Sequence, residues 1–124
     1  MTIFGAETHP SPHLGDEAVT LLRALLLCQV IQHADQAAEC RVAVDELTGQ
    51  LDSDSVLERE IAEASASRFD AAVREAEDAL RRLDDGTYGI CERCSAPIPY
   101  ERLRVIPHAR MCVTCPGGPA ALLA

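Results

Sequence analysis

The sequence predicts a mainly α-helical fold: a long antiparallel two-helix coiled-coil hairpin followed by a small finger built on four cysteines. Two long stretches with helical patterning are separated by a short polar turn, and two C-x2-C pairs follow them. Hydrophobic residues make up 48% of the chain, yet it contains no Trp, two Phe and two Tyr, so Ala and Leu dominate. This composition favours closely packed helices, and 124 residues suffice for one domain.

Residues 1–15 are predicted to be a disordered leader, because they contain two prolines and show no periodic pattern. We expect His9 and His13 in this leader to be solvated rather than metal-bound. The leader lacks the basic start of a signal peptide. The apolar run 21–31 is also shorter than the roughly 20 residues that span a bilayer. We therefore expect a cytoplasmic protein with no membrane contact.

The first long helix is predicted to run from Asp16 to Thr48. Asp16 is a suitable N-cap, Glu17 places an acidic group in the first turn, and Gly49 is a typical stop signal. At about 1.5 Å per residue the helix is roughly 50 Å long.

Two cysteines of this helix, Cys28 and Cys40, are separated by a spacing that places them about 120° apart around its axis. They therefore cannot share a metal ion. We expect both to behave as small buried hydrophobic residues, and we expect the same structural role for His33.

A polar turn near residues 49–55 leads to the second helix, which Asp54 or Ser55 can cap and which ends near Asp85. Small and apolar residues recur along it at alternating steps of three and four, the spacing of a coiled-coil seam. Two helices of matched length joined by a short turn bury such stripes by packing antiparallel, so residues 16–85 are predicted to form the hairpin. The seam residues are Ala62, Ser65, Phe69, Ala72, Ala76, Ala79 and Leu83.

The two C-x2-C pairs are Cys91 with Cys94 and Cys112 with Cys115. Two residues between thiolates allow one tight turn to aim both sulfurs at a point, and a second such turn completes a tetrahedron around Zn²⁺. Four thiolates leave no open position for water, so we expect one structural zinc, no catalytic residues and no enzymatic activity. Residues 86–115 are predicted to be the four-cysteine zinc finger, and residues 116–124 a flexible tail.

Other assignments of these cysteines remain open. Two structural disulfides or a redox-active dithiol would use the same residues, although both are uncommon in a cytosolic chain. His108, four residues before Cys112, could also replace one cysteine as a ligand.

The charge of the chain is unevenly distributed. Residues 1–85 carry 18 acidic residues and 7 arginines, whereas residues 86–124 carry 2 acidic residues and 4 arginines. Most non-specific DNA affinity comes from cationic contacts, so an acidic body argues against a DNA-binding zinc ribbon. A protein partner with a positive surface fits better. The finger arginines Arg93, Arg102, Arg104 and Arg110 are expected to offset the charge of a four-thiolate zinc centre.

The stretch from Gly86 to Cys115 closely resembles the zinc finger of the DksA/TraR family. The pattern G-x-Y-G-x-C-x-x-C, the pair Arg102-Leu103, Pro107 and the closing C-x-x-C all agree with that family. The preceding helical hairpin also agrees with the family architecture. The resemblance therefore extends over roughly residues 16–115.

This resemblance implies that the protein regulates transcription by binding bacterial RNA polymerase directly, without DNA. Members place the coiled-coil tip into the secondary channel, near the catalytic centre. Asp52 and Asp54 are the candidate tip acids, although a gap-free count from Cys91 puts the family's two acids at Thr48 and Leu51. Arg68 stands where the family carries a basic residue, and is a candidate polymerase contact.

Some members respond to the alarmone ppGpp through basic groups, at positions that Ile106 and Glu75 occupy here. We therefore expect no ppGpp response. The hairpin closes its own seam, so a monomer is the simplest state. The alternative function is a zinc-stabilised coiled-coil adaptor that binds another protein, and the altered tip pattern favours it.

Overall fold

The computed structural model describes residues 13–113, which form two long helices joined by a short turn and a third, short helix that follows residues 86–99. Within this range the extended structure is limited to one isolated antiparallel bridge between Ile90 and Pro97. The mainly helical fold class, with two long helices and a cysteine finger after them, is therefore confirmed. The helices are α1 (Asp16–Leu47), α2 (Ser53–Asp85) and α3 (Tyr100–Val105).

The ends of the two long helices follow from local chemistry. Neither helix contains Gly or Pro, and α1 stops just before Gly49, whose φ is +94°. The backbone N–H of Val19 donates to the carbonyl of Gly15 at 3.0 Å, so Asp16 is the first helical residue rather than the cap.

The start of α2 differs from the prediction. The Asp52 carboxylate accepts a hydrogen bond from the backbone N–H of Ser55 at 2.9 Å, and the Asp52 carbonyl accepts one from Val56 at 3.0 Å. Asp52 is therefore the N-cap, in place of Asp54 or Ser55, because its side chain satisfies an N–H of the first turn. The same bond from Ser55 is the main reason that the pKa of Asp52 is lowered.

The chain divides into two compact units, one formed by residues 28–75 and the other by residues 13–27 with 76–113. In the 28–75 unit, Ala37 and Ala66 are buried, and the rings of His33 and Phe69 stack with centroids 5.9 Å apart. Arg41 on α1 binds both carboxylate oxygens of Asp70 on α2 at 3.1 Å. Small buried residues thus let the two helices of this unit approach closely.

The predicted seam of α2 is confirmed. Ala76, Ala79 and Leu83 are buried, and the other four seam residues are partly buried. The prediction for the α1 cysteines was wrong for Cys28, which is exposed, and Cys40 is only partly buried. Apolar residues lie on several sides of α1, including exposed Leu21, Leu27 and Ile31, so its pattern does not reveal which side is covered.

In the unit formed by residues 13–27 and 76–113, apolar residues of both long helices and of the finger form one core. Leu22 and Leu26 of α1 and Leu83 of α2 are at most 2% exposed. Burying a leucine side chain contributes about 1.5–3 kcal/mol. The finger supplies Tyr88, Ile98 and Leu103, each fully buried. The finger and the adjacent helix ends therefore share their hydrophobic core.

The end of the predicted leader is ordered where the structure describes it. The His13 ring forms a 2.8 Å hydrogen bond with the carbonyl of Ile98, and Leu14 is 3% exposed. His13 is exposed, as expected, and is not among the possible metal ligands of the described residues, and its ring additionally pairs with a finger carbonyl. Residues 1–12 and the predicted tail 116–124 lie outside the described residues.

Within residues 13–113, none of the helices combines the length and the apolar character needed to cross a bilayer.

Gly86 terminates α2 with a φ of +84° and has open space where a Cβ would lie. We predict that Gly86→Ala destabilises the protein by about 1 kcal/mol, since a left-handed backbone is strained for residues with a side chain. Urea denaturation followed by circular dichroism measures this loss. Gly86→Asn is the matched control and should lose less, because Asn tolerates this conformation. Equal stability of wild type and Gly86→Ala would contradict the strain argument.

Candidate metal centre

The first cysteine pair lies on a tight backbone turn. Gly89 and Cys91 pair with the returning segment around Pro97, since the Cys91 N–H donates to the Ala96 carbonyl at 2.8 Å and the Ile98 N–H to the Gly89 carbonyl at 2.7 Å. The chain reverses at Ser95, whose φ is +63° and whose N–H donates to the Cys91 carbonyl at 2.9 Å. This turn brings the two sulfurs of the first C-x2-C pair to one side.

A second contact aligns the chain that leads into Cys112. The backbone N–H of Glu92 donates to the carbonyl of Arg110 at 2.9 Å, and the Arg102 guanidinium donates to the Met111 carbonyl at 3.1 Å. The segment before Cys112 is therefore tied both to the first turn and to α3.

Three cysteine sulfurs meet at this point. The Sγ atoms of Cys91, Cys94 and Cys112 all lie within 4.8 Å of one another. Cys91 and Cys112 are buried and Cys94 is exposed. Among the described residues, this is the group of side chains that the structure gathers into a metal-binding arrangement.

The sulfur spacing fits zinc and does not fit a disulfide. Cys94 Sγ and Cys112 Sγ are 3.6 Å apart, whereas a disulfide requires about 2.05 Å. Zn–S bonds of about 2.3 Å place the corners of a tetrahedron roughly 3.8 Å apart. The donor chemistry agrees as well, because Zn²⁺ favours thiolates in structural sites.

Backbone groups make Cys91 a ready ligand. Hydrogen bonds from backbone N–H groups lower the pKa of Cys91 from 9.0 to about 6. The largest effect comes from the N–H of Cys94, and the N–H groups of Cys112 and Arg93 act in the same direction. These contributions outweigh desolvation, which acts to raise it. Cys91 is therefore largely a thiolate at neutral pH, the form that binds zinc.

The remaining predicted ligands have different outcomes. Cys115 lies outside the described residues, so its role as the fourth ligand stays a prediction. His108 is not part of the group of gathered donor atoms, and its backbone carbonyl accepts a hydrogen bond from Arg82 at 3.5 Å. In the described residues, the cysteine set is favoured over a histidine substitution.

Tyr88 is a buried residue that connects two parts of the finger. It lies two residues before the bridge residue Ile90. Its hydroxyl donates to the carbonyl of Pro107 at 2.8 Å, and its side chain is fully buried. Burial raises the pKa of Tyr88, so the hydroxyl keeps its proton and remains a donor. The family pattern contains this tyrosine, yet nothing in the sequence points to its partner.

Asp78 of α2 connects the helix to the finger, and sequence reasoning missed it. Its carboxylate accepts hydrogen bonds from Arg110 at 2.8 Å, from Arg81 at 2.9 Å and from Arg82 at 3.3 Å. Partial burial acts to raise the pKa of Asp78, but Arg110 and the two α2 arginines lower it overall. Arg110 thus binds Asp78, although the sequence suggested that it offsets the metal centre.

The predicted polymerase-contacting residues lie in the 28–75 unit. Asp52 caps α2, Asp54 is exposed in its first turn, and Arg68 is exposed with its guanidinium donating to Ser65 Oγ at 3.2 Å. The structure brings Asp52 and Asp54 to the turn between the long helices.

We predict that Asp78→Asn accelerates zinc loss to a chelator by about fivefold, equivalent to roughly 1 kcal/mol. The reason is that Asn removes the charge that holds Arg110, two residues before Cys112. Zinc release is followed with a colorimetric chelator. Asp84→Asn is the control, because Asp84 is exposed and pairs with Arg23 at 3.4 Å. Identical release rates for both variants would contradict a role for Asp78.

Comparison with known proteins places this geometry in a family. Residues 86–117 match the prokaryotic dksA/traR C4-type zinc finger. General stress protein 16O of Bacillus subtilis (strain 168) is 51% identical over 41 residues, covering 33% of this chain and 25% of that protein. An uncharacterized 8.5 kDa protein in the gpA 5' region of Escherichia phage 186 is 42% identical over 52 residues, covering 36% of this chain and 69% of its own length. The match thus spans only about a quarter of the Bacillus protein.

The fold extends the likeness beyond the finger. The structure of transcription factor DksA2 from Pseudomonas aeruginosa matches with a TM-score of 0.74 and 23% sequence identity, covering 82% of this chain and 81% of that one. The C4 finger and its gathered sulfurs make the centre a structural zinc site. From its cysteine motif and its helical architecture together, the chain belongs to the DksA/TraR family of C4-type zinc finger proteins.

Proposed function

We propose that this protein regulates transcription by binding bacterial RNA polymerase directly, with the turn between α1 and α2 placed in the secondary channel near the active site. The observation that carries the proposal is the shared architecture with a transcription factor over 82% of this chain. Helices of 32 and 33 residues joined by a short turn are suited to enter a channel.

The charge of the helices favours a protein partner over DNA. Residues 1–85 carry 18 acidic residues against 7 arginines. Arg41 of α1 donates to Asp70, and Arg81 and Arg82 of α2 donate to Asp78. Phosphate binding depends on available cationic side chains. The acidic helices therefore favour action without direct nucleic-acid binding. The proposal further takes the protein to be a cytoplasmic monomer without enzymatic activity.

The two candidate tip acids have different surroundings. Asp52 accepts the hydrogen bond from Ser55 that caps α2, whereas Asp54 is exposed in the first turn. Asp54 is the acid better placed to act near the polymerase Mg²⁺, and exposed Arg68 is a contact to the channel rim. No ppGpp response is expected, because Ile106 and Glu75 replace basic groups of responsive relatives.

The finger stabilises the base of the hairpin with one zinc ion held by Cys91, Cys94, Cys112 and Cys115. We predict that Cys115→Ser abolishes stoichiometric zinc binding, because three thiolates leave the tetrahedron incomplete and the finger depends on its metal for folding. Elemental analysis of the purified protein measures the zinc content. Cys28→Ser is the control and should retain one zinc, since Cys28 lies on α1. Full zinc content in Cys115→Ser would exclude it as a ligand.

The test of function is reconstituted transcription with core polymerase and its sigma factor, with and without ppGpp. The zinc-loaded protein should bind core polymerase at micromolar concentration and change the transcript yield from a sensitive promoter, with no dependence on ppGpp. Asp54→Asn should bind with wild-type affinity and lose most of the effect on yield, because it removes only the charge near the catalytic metal.

Asp54→Asn is paired with Glu63→Gln, which removes an exposed charge of α2 away from the turn. Glu63→Gln should behave as the wild type. An unchanged effect in Asp54→Asn would assign no active role to that acid. If the wild type forms no complex with polymerase at low salt, the adaptor function is favoured instead.

A further inference from the structure

Side-chain hydrogen bonds hold the turn between α1 and α2 in one arrangement. Gln50 donates through Nε2 to the carbonyl of Glu46 at 3.2 Å, and its Oε1 accepts from the hydroxyl of Ser55 at 2.9 Å. Ser55 is 7% exposed, and its N–H donates to Asp52. Gln50 therefore ties the end of α1 to the start of α2, and Asp52 caps the start of α2.

Leu51 lies between these two tethered residues and is exposed. Its relative exposure is 89%, the highest among the large hydrophobic residues that the structure leaves exposed in residues 13–113. The polar neighbours on both sides are engaged within the chain, whereas the leucine side chain is left in water. Burying it in an apolar environment on binding would be favourable.

Two further apolar side chains are exposed at the start of α2. Leu57 and Ile61 are 56% and 57% exposed, and a spacing of four residues makes them neighbours on one face of the helix. Isolated exposed leucines are common on protein surfaces, but here three large apolar residues are exposed within residues 51–61, and we call them together the apolar area of the turn.

The charge around this area restricts its partner. Residues 45–63 contain seven acidic residues and one arginine. Such a segment is repelled by anionic lipid surfaces and by nucleic acid phosphates. A second copy would bring the same acidic segments together. A protein cavity with an apolar floor and basic groups around its entrance is complementary in both respects.

The geometry points to Leu51 as an apolar anchor of the turn, which inserts into an apolar, basic-rimmed pocket of the protein partner, with Leu57 and Ile61 as the adjoining contact. Gln50, Asp52 and Ser55 are positioning residues that preorganise the turn. Preorganisation reduces the loss of conformational freedom on binding. The inference rests on the proposed function, in which this pocket belongs to the polymerase channel.

The test is a fluorescence titration of zinc-loaded, full-length protein with core RNA polymerase. Leu51→Ala should weaken binding about tenfold or more, because it removes most of the anchor's apolar surface. Its urea unfolding midpoint should equal that of the wild type, since the side chain is exposed in the free protein. Leu27→Ala is the matched control, a half-exposed leucine of α1 outside the turn, and should bind as the wild type.

The possible outcomes separate this inference from the proposed function. Wild-type binding by Leu51→Ala, with polymerase bound normally by the unmodified chain, overturns the anchor and leaves the proposed function intact. No binding by the unmodified chain overturns both. Dimerisation of the wild type that Leu51→Ala abolishes, measured by analytical ultracentrifugation, assigns the apolar area to a second copy and overturns the inference. So does Leu51-dependent binding to phosphatidylglycerol vesicles.

Discussion

The gathering of cysteine sulfurs by one zinc ion is the interaction on which the finger depends. The segment from residue 86 to residue 113 contains a single short helix and one isolated bridge, so regular secondary structure contributes little to holding it together. Its larger apolar residues, including Tyr88 and Leu103, are buried in a core shared with leucines of both long helices. Metal coordination joins the turn that carries Cys91 and Cys94 to Cys112, and the shared core then fixes the finger against the helix ends.

Much of the helical fold could be predicted from the sequence. Long segments without Gly or Pro, ended by Gly49 and Gly86, define α1 and α2 to within a few residues. The start of α2 was misjudged because residues 52–55 alternate Asp and Ser, each able to cap a helix, and only the structure selects Asp52. Helix α3, with six residues, is too short for a periodic pattern to indicate it.

The cysteine ligands could be predicted from the sequence, whereas the hydrogen-bond partners around them could not. C-x2-C spacing is a local pattern, so Cys91, Cys94 and Cys112 could be assigned before any fold was known. The bond between Arg110 and Asp78 joins residues 32 positions apart, and the His13 bond to Ile98 spans 85 positions. Such partners depend on the tertiary fold, and an arginine-rich segment next to thiolates suggested a different pairing. The exposure of Cys28 was missed because the apolar residues of α1 do not define one buried face.

Arg82 connects α2 to the finger through both its backbone and its side chain. Its carbonyl accepts hydrogen bonds from the N–H groups of Gly86, Thr87 and Tyr88, and its guanidinium donates to Asp78 and to the His108 carbonyl. One residue thus closes the last turn of α2 and holds two separate parts of the finger. There is no loose linker at this junction, so unwinding of the finger would be transmitted directly into the final turn of the helix. Amide hydrogen exchange at residues 86–88 is consequently a sensitive local reporter of whether the metal is bound.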